Sequence, residues 1–274
     1  MKSQILHGNC FDILPTLPDN FADLILTDPP YMTTDLFFDK VGFDVDAWLQ
    51  LCLRVCKPDG FLISFGSFEL LAKMSTVFNT RWTGVWLKPQ GTMRTATAKK
   101  PMSKSELYGV FAHPKHKISN LVFNKLMVPG KPYIKKQNNT GYLRDGKDSL
   151  SRANTSAWTK QGYIQNNEGW RYQTNVIEAP NKTTMKHKEK TEHPSQKPIS
   201  LFKPLIEFTT NENMIVLDPF AGSGTTAIAC LETNRNYICI EQHPEYYQMI
   251  CDRVDAWHKD NPTEQLELLY GNQG

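Results

Sequence analysis

The chain has 274 residues, 40% hydrophobic and 22% charged, with a formal net charge of +3. That composition belongs to an ordinary soluble protein, long enough for one good core plus an appended lobe and not for two equal domains. No stretch approaches the ~20 apolar residues that span a bilayer, and the opening MKSQILHGNC lacks an apolar signal-peptide core, so a cytoplasmic location is expected.

In chain order, the first clear element is the apolar run ADLILT, residues 22–27, read as a buried strand. It ends on Asp28-Pro29-Pro30-Tyr31. A residue before proline is pushed to extended geometry and proline itself offers no N–H. The result is a preset acceptor-rich edge made of the Asp28 carboxylate and the Pro29 carbonyl, with the Tyr31 ring beside it. Such an edge suits an exocyclic amino group on a flat ring. Stacking a base on an aromatic is worth about 1–3 kcal/mol, comparable with the few kcal/mol needed to extrude a base from its duplex. A plain turn capped by Asp28 is the competing reading.

Helical patterns over 45–56 and 68–79 alternate with strand-like runs at 60–66 and 83–88, and a further run follows at 106–112. From Lys88 to Lys104 the bases Lys88, Arg94, Lys99, Lys100 and Lys104 meet no acid. Between about His113 and Glu192 the rhythm stops, bases outnumber acids, and Tyr133, Tyr142, Trp158, Tyr163, Trp170 and Tyr172 are interspersed. A structureless connection of that length is improbable in a compact domain, so 113–192 is read as an inserted lobe. Its charge points to a polyanion, with a merely solvated basic face as the rival.

Regular elements return with helices at 200–210, 225–234 and 244–259 and strands at 213–218 and 236–241. Strand, loop and helix join through DPFAGSGTT, residues 218–226, and the next strand closes on Glu241. Glycines at 222 and 224 let backbone approach a ligand, and an acid ending the second strand can accept from ribose hydroxyls. The interval from Asp218 to Glu241 is close to the ~20 positions of a nucleotide-binding βαβ unit. GSGTT has neither the spacing nor the lysine of a triphosphate loop, which leaves a nucleoside without pyrophosphate, or a tight packing turn. Strands alternating with helices predict an α/β protein with a parallel sheet and its ligands at the strand C-terminal ends. The six cysteines contain no CxxC pair and the seven histidines are scattered, so neither a disulfide framework nor a metal site is predicted.

Taken together, these residues resemble the S-adenosylmethionine-dependent amino-methyltransferases of DNA. Asp28-Pro29-Pro30-Tyr31 is similar to their catalytic tetrapeptide and DPFAGSGTT to their cofactor loop. HPSQKP (193–198) and KPDGFLISFGS (57–67) are similar to segments that accompany those two motifs. The order, catalytic corner before cofactor loop with a basic insertion between, resembles the circularly permuted beta group. The resemblance implies a Rossmann-like methyltransferase fold whose catalytic domain is split into 1–112 and 193–274, with 113–192 as the target-recognition lobe.

It also implies site residues. Asp28, Pro29, Pro30 and Tyr31 would hold a flipped base. Phe220, Ala221, Gly222, Ser223, Gly224 and Thr225 would line the cofactor, with Asp218 facing its methionine part, Glu241 its ribose and Lys197 its carboxylate. Asn9, with Cys10 beside it, would meet the adenine amino group of the cofactor. Here the chain departs from the family, which usually has Gly-Asp where this sequence has Gly8-Asn9. An Asp opening the tetrapeptide resembles adenine-N6 enzymes, whereas many cytosine-N4 enzymes carry Ser. Double-stranded DNA is the implied partner, and a homodimer and a restriction endonuclease partner stay open. Cytosine-N4 methylation, methylation of an RNA or protein amide, and a non-catalytic DNA-binding module are the alternatives.

Overall fold

The computed structural model describes residues 3–30, 43–92, 99, 101–137 and 163–262. The chain divides into a larger unit, Met1–Lys125 with Thr174–Gly274, and a smaller one, Leu126–Gln173. The smaller unit is narrower than the expected 113–192. Both flanks belong to the larger unit for visible reasons: Phe123 stacks on Phe208 at 5.9 Å, Asn124 donates to the Glu207 and Thr210 carbonyls, and Ile177, Ala179 and Met185 are buried.

In the larger unit the strands are β1 (Gln4–His7), β2 (Ala22–Thr27), β3 (Cys56–Phe65), β4 (Asn79–Thr92), β5 (Ser103–Ala112), β10 (Val176–Glu178), β11 (Ile215–Asp218) and β12 (Asn236–Glu241). Its helices are α1 (Cys10–Ile13), α2 (Val45–Val55), α3 (Phe68–Met74), α4 (Ile199–Thr209), α5 (Thr225–Leu231) and α6 (Pro244–Asp260). The sheet runs β1-β12-β11-β2-β3-β5-β4-β10. From β1 to β3 neighbours are parallel, as expected, but β5 runs antiparallel to both β3 and β4. No helix is described between β4 and β5, and a parallel return needs a long crossover, so direct succession favours the antiparallel pair.

Alternation along the central strands covers both sheet faces. Leu24 and Leu26 of β2 join one apolar cluster with α4, α5 and α6, whereas Ala22 and Ile25 join the other with α2 and α3. Each fully buried Leu or Ile side chain contributes about 1.5–3 kcal/mol relative to exposure. Local chemistry sets the helix ends. Asp44 accepts from Ala47 N–H to start α2, and Ser67 from Leu70 N–H to start α3. The pattern over 68–79 runs on past α3, which stops at Met74 because the Ser75 and Thr76 hydroxyls take the Ala72 and Lys73 carbonyls. At Gly84 of β4 a Cβ would lie 2.1 Å from the Tyr108 ring, whose hydroxyl donates to Asn175 O at 2.9 Å, so only glycine admits that packing.

The smaller unit holds two antiparallel ribbons, β6 (Met127–Pro129) with β9 (Trp170–Tyr172), and β7 (Tyr133–Gln137) with β8 (Tyr163–Asn167). No described helix is long and apolar enough to cross a membrane.

Candidate active site

The sheet order brings the C-terminal ends of β1, β12, β11 and β2 side by side. His7 is level with Glu241 and Asp218 with Cys239, so the segments that leave these strands line one rim. Two motifs far apart in sequence are joined there. Thr27, the residue before Asp28, donates its hydroxyl to Asp218 Oδ1 at 2.9 Å, and Thr225 donates to the Lys197 carbonyl at 2.7 Å.

At the corner after β2, Pro29 is buried and Asp28 half-buried, and Asp28 Oδ2 pairs with the Lys197 ammonium. Tyr31 lies outside the described residues. The resemblance implies a cofactor carboxylate as the partner of Lys197; within the chain its ammonium lies on Asp28, with Glu106 Oε2 3.4 Å from it. Burial opposes its charge, but Asp28 and Glu106 more than offset this and raise its pKa above the ordinary lysine value.

In the loop after β11, the Gly222 N–H donates to Glu241 Oε2 at 2.8 Å and the His243 N–H to Oε1 at 2.8 Å. Burial raises the Glu241 carboxyl above its usual range, with those donors offsetting part of the effect. Gly222 sits at φ +51° and Gly224 at φ +74°. A Cβ on Gly222 would stand 3.0 Å from His193 Nε2. Burial, with Lys197 and Lys182 nearby, pushes His193 down to about 4, so the ring is neutral at pH 7; it packs edge-on to Tyr246 at 4.5 Å. Ala221 N–H donates to Ile240 O, and the Ser223 carbonyl accepts from Arg253, so the loop is fastened to β12 and α6. Phe220 meets the rings of Phe43 and Trp48 at 5.4 and 5.8 Å, an aromatic wall beside the glycines.

Three further residues expected at the cofactor make contacts within the chain. The Asp218 carboxylate takes Thr27, Thr226 and the Phe220 N–H, an arrangement that shapes the loop and ties it to β2. Asn9 caps α1 by accepting from Phe11 N–H at 2.9 Å. Cys10 buries its thiol in the core, and desolvation pushes it up to about 12.

The sequence profile of the DNA methylase family (N6/N4 methyltransferases) matches residues 22–252. The chain belongs to the DNA methylase family. The YubD protein of Escherichia coli (strain K12) is 30% identical to this methylase over 264 residues, 93% of this chain and 91% of that one. The crystal structure of M1.HpyAVI in complex with SAM covers 91% of this methylase and 98% of its own chain, at TM-score 0.57 and 26% identity. The PvuII DNA methyltransferase (cytosine-N4-specific) shares the fold at TM-score 0.60 and 14% identity over 92% of this chain and 86% of that one.

The rim of the methylase fits a nucleoside cofactor in its donor chemistry. Glu241 has acceptor capacity beyond the Gly222 and His243 N–H groups, suited to paired hydroxyls; the left-handed glycines bring bare backbone to the surface; and Phe220 offers an aromatic face to a flat ring. Thr27, Lys88, Glu106, His193 and Thr226 also meet these residues; sequence alone gave none of them a site role, although His193 and Thr226 lie inside HPSQKP and DPFAGSGTT and Lys88 opens the acid-free basic run. For Lys88 and Glu106 the signal was a charge bounding an apolar run, Lys88 closing 83–88 and Glu106 opening 106–112.

Asp218 makes the stability of the methylase depend on pH. Burial raises it from 3.8 to about 6, against the pull of Thr226, Phe220 N–H and Thr27. A raised acid binds its proton more tightly folded than unfolded, so this group's favourable contribution is full below the unfolded value and is lost as pH rises through about 6. The shift corresponds to about 3 kcal/mol. Asp218→Asn should therefore raise urea-unfolding stability at pH 7 by an amount on the order of 2–3 kcal/mol and change it little near pH 4. Equal effects at both pH values would show that Asp218 makes no such contribution.

Proposed function

We propose that this protein transfers a methyl group from S-adenosylmethionine to the N6 amino group of adenine in double-stranded DNA. Methyl transfer to a DNA base amino group follows from family membership. The choice of adenine rests on Asp28, since an Asp opening the tetrapeptide resembles the adenine enzymes. The observation that carries the reading is the joining of the Asp28 corner to the glycine loop through the Thr27–Asp218 bond.

When bound, the cofactor supplies a methyl already activated on a sulfonium, so positioning is the main task left to the protein. Asp28 accepts a hydrogen bond from the amino group, which draws the nitrogen lone pair out of ring conjugation and towards the methyl. The same carboxylate accepts the proton that the nitrogen gives up on methylation. A carboxylate has about four acceptor sites. Lys197 takes one of them. The Pro29 carbonyl is the second acceptor and Tyr31 the stacking plate, as the family resemblance implies. Gly222, Gly224, Phe220 and Glu241 form the cofactor cradle. The smaller unit is assigned target recognition: its ribbons expose Met127, Tyr133, Ile134, Trp170 and Tyr172, and Arg171 lies 5.4 Å from the Tyr133 ring centre, a basic and aromatic surface of the kind that engages bases and phosphates.

The test is product analysis. Purified protein is incubated with S-adenosylmethionine and mixed-sequence duplex DNA, and the DNA is digested to nucleosides for mass spectrometry. N6-methyladenine is expected. N4-methylcytosine in its place would overturn the adenine assignment and keep the reaction class.

A further inference from the structure

Behind Asp28 runs a row of alternating charges that neither corner motif contains. Lys88 of β4 lies 2.6 Å from Glu106 Oε1 of β5, Glu106 Oε2 lies 3.4 Å from Lys197, and Lys197 pairs with Asp28. The register explains the first link. Glu106 is level with Trp86, and Lys88 is two residues on, so all three side chains leave the same face of the sheet. The Trp86 ring centre is 5.1 Å from the Lys88 ammonium and 5.8 Å from that of Lys197, and Phe65 is 5.5 Å from Lys197. Both lysines are almost fully buried, at 6% and 7% exposure.

Ion pairs at this depth give little net stability, because desolvation cancels most of the attraction, so their contribution is sought in geometry. We propose that Glu106, backed by Lys88, is a positioning residue that fixes the Lys197 ammonium on one oxygen of Asp28 and so helps to aim that carboxylate at the target amino group. The proposal rests on the methyl-transfer reading of the site. Glu106 sets where along its packed stem the Lys197 ammonium stops, and hence which oxygen of Asp28 it meets. Burial alone would neutralise the row, yet the flanking lysines outweigh it at Glu106 and hold that carboxyl below its usual range, while Lys197 is held above its own. Glu106 and Lys197 thus stay charged at neutral pH.

The test is Glu106→Gln, read by single-turnover methyl transfer at saturating DNA and S-adenosylmethionine and by calorimetric titration of the cofactor. The expected rate falls about 10–100-fold, the scale set by misplacing a reacting group. Cofactor affinity should stay within about threefold, since the lost interaction is with the catalytic corner. Lys88→Met should follow in direction, and Lys88→Arg should restore most of the rate by returning the charge. Glu106→Gln strands the buried Lys88, so the double variant Lys88→Met/Glu106→Gln, which removes both charges together, decides the matter if the single one fails to fold.

A wild-type rate in the folded double variant overturns the proposal. So does a fall in rate matched by an equal fall in cofactor affinity, which would place Lys197 on the cofactor. No methylated product from the wild-type protein would remove the methyl-transfer reading and this role with it, whereas a wild-type rate in the double variant removes this role alone.

Discussion

Asp28→Ala should lower methyl transfer by a factor on the order of 10²–10⁴, the range that a positioned proton-accepting side chain supplies. Among the described residues Asp28 is the carboxylate at the corner after β2, and Lys197 pairs with it there. Alanine leaves the amino group's hydrogens facing no anionic acceptor, so its lone pair stays in the ring. The cradle should be little affected. Glu241, Gly222 and Phe220 make their hydrogen bonds and ring contacts without Asp28, and Lys197 retains Glu106 as a partner. Affinity for S-adenosylmethionine should therefore change by less than about threefold. Asp28→Asn, which keeps an acceptor and loses the charge, should fall between alanine and wild type. A single-turnover assay beside a cofactor titration separates the two quantities. Wild-type turnover in Asp28→Ala would show that the corner is structural, and a matching loss of cofactor affinity would place Asp28 in the cradle instead.

Gly222→Asp should act in the opposite order, on the cofactor first. The residue sits at φ +51°, where a side chain strains the backbone by about 1–2 kcal/mol. Its Cβ would meet the His193 ring at 3.0 Å, and that ring is wedged against Tyr246 and can yield little. The added carboxylate would also stand next to Glu241, the acceptor of the Gly222 N–H, where a like charge is costly in a low-dielectric pocket. Together these come to about 3–4 kcal/mol, or a ~10²–10³-fold weaker cofactor affinity. Loop strain of this kind is relieved only by moving the glycine backbone, which destroys the surface the nucleoside would rest on. Calorimetric titration on a variant with wild-type circular dichroism reads this directly, and an unchanged dissociation constant would show that the loop is a packing turn.

Much of this protein is set locally, and its sequence alone determines those parts. The runs at 22–27, 213–218 and 236–241 become β2, β11 and β12 because a strand buried on both faces must be apolar throughout. The Asp-Pro-Pro corner and the GSG loop are legible because prolines and glycines act on their own backbone. Their order along the chain carries the family with it.

Only the tertiary structure decided the rest, and in each case the deciding interaction is between residues distant in sequence. The short strands β1 and β10 exist because the edges of the sheet accept them, and their own sequences have too few residues to announce a period. The antiparallel run of β5 depends on which neighbours it finds. The smaller unit contracts to Leu126–Gln173 because its polar flanks carry a few apolar side chains that reach the main core. The site shows the same division. Sequence named Asp28, Lys197, Asp218 and Glu241 but could not pair them. Asp218 turned to Thr27 and Thr226, and Lys197 to Asp28 and Glu106. A buried charge must find the opposite charge or hydrogen-bond partners within a few ångströms, and only the folded sheet brings those groups within reach.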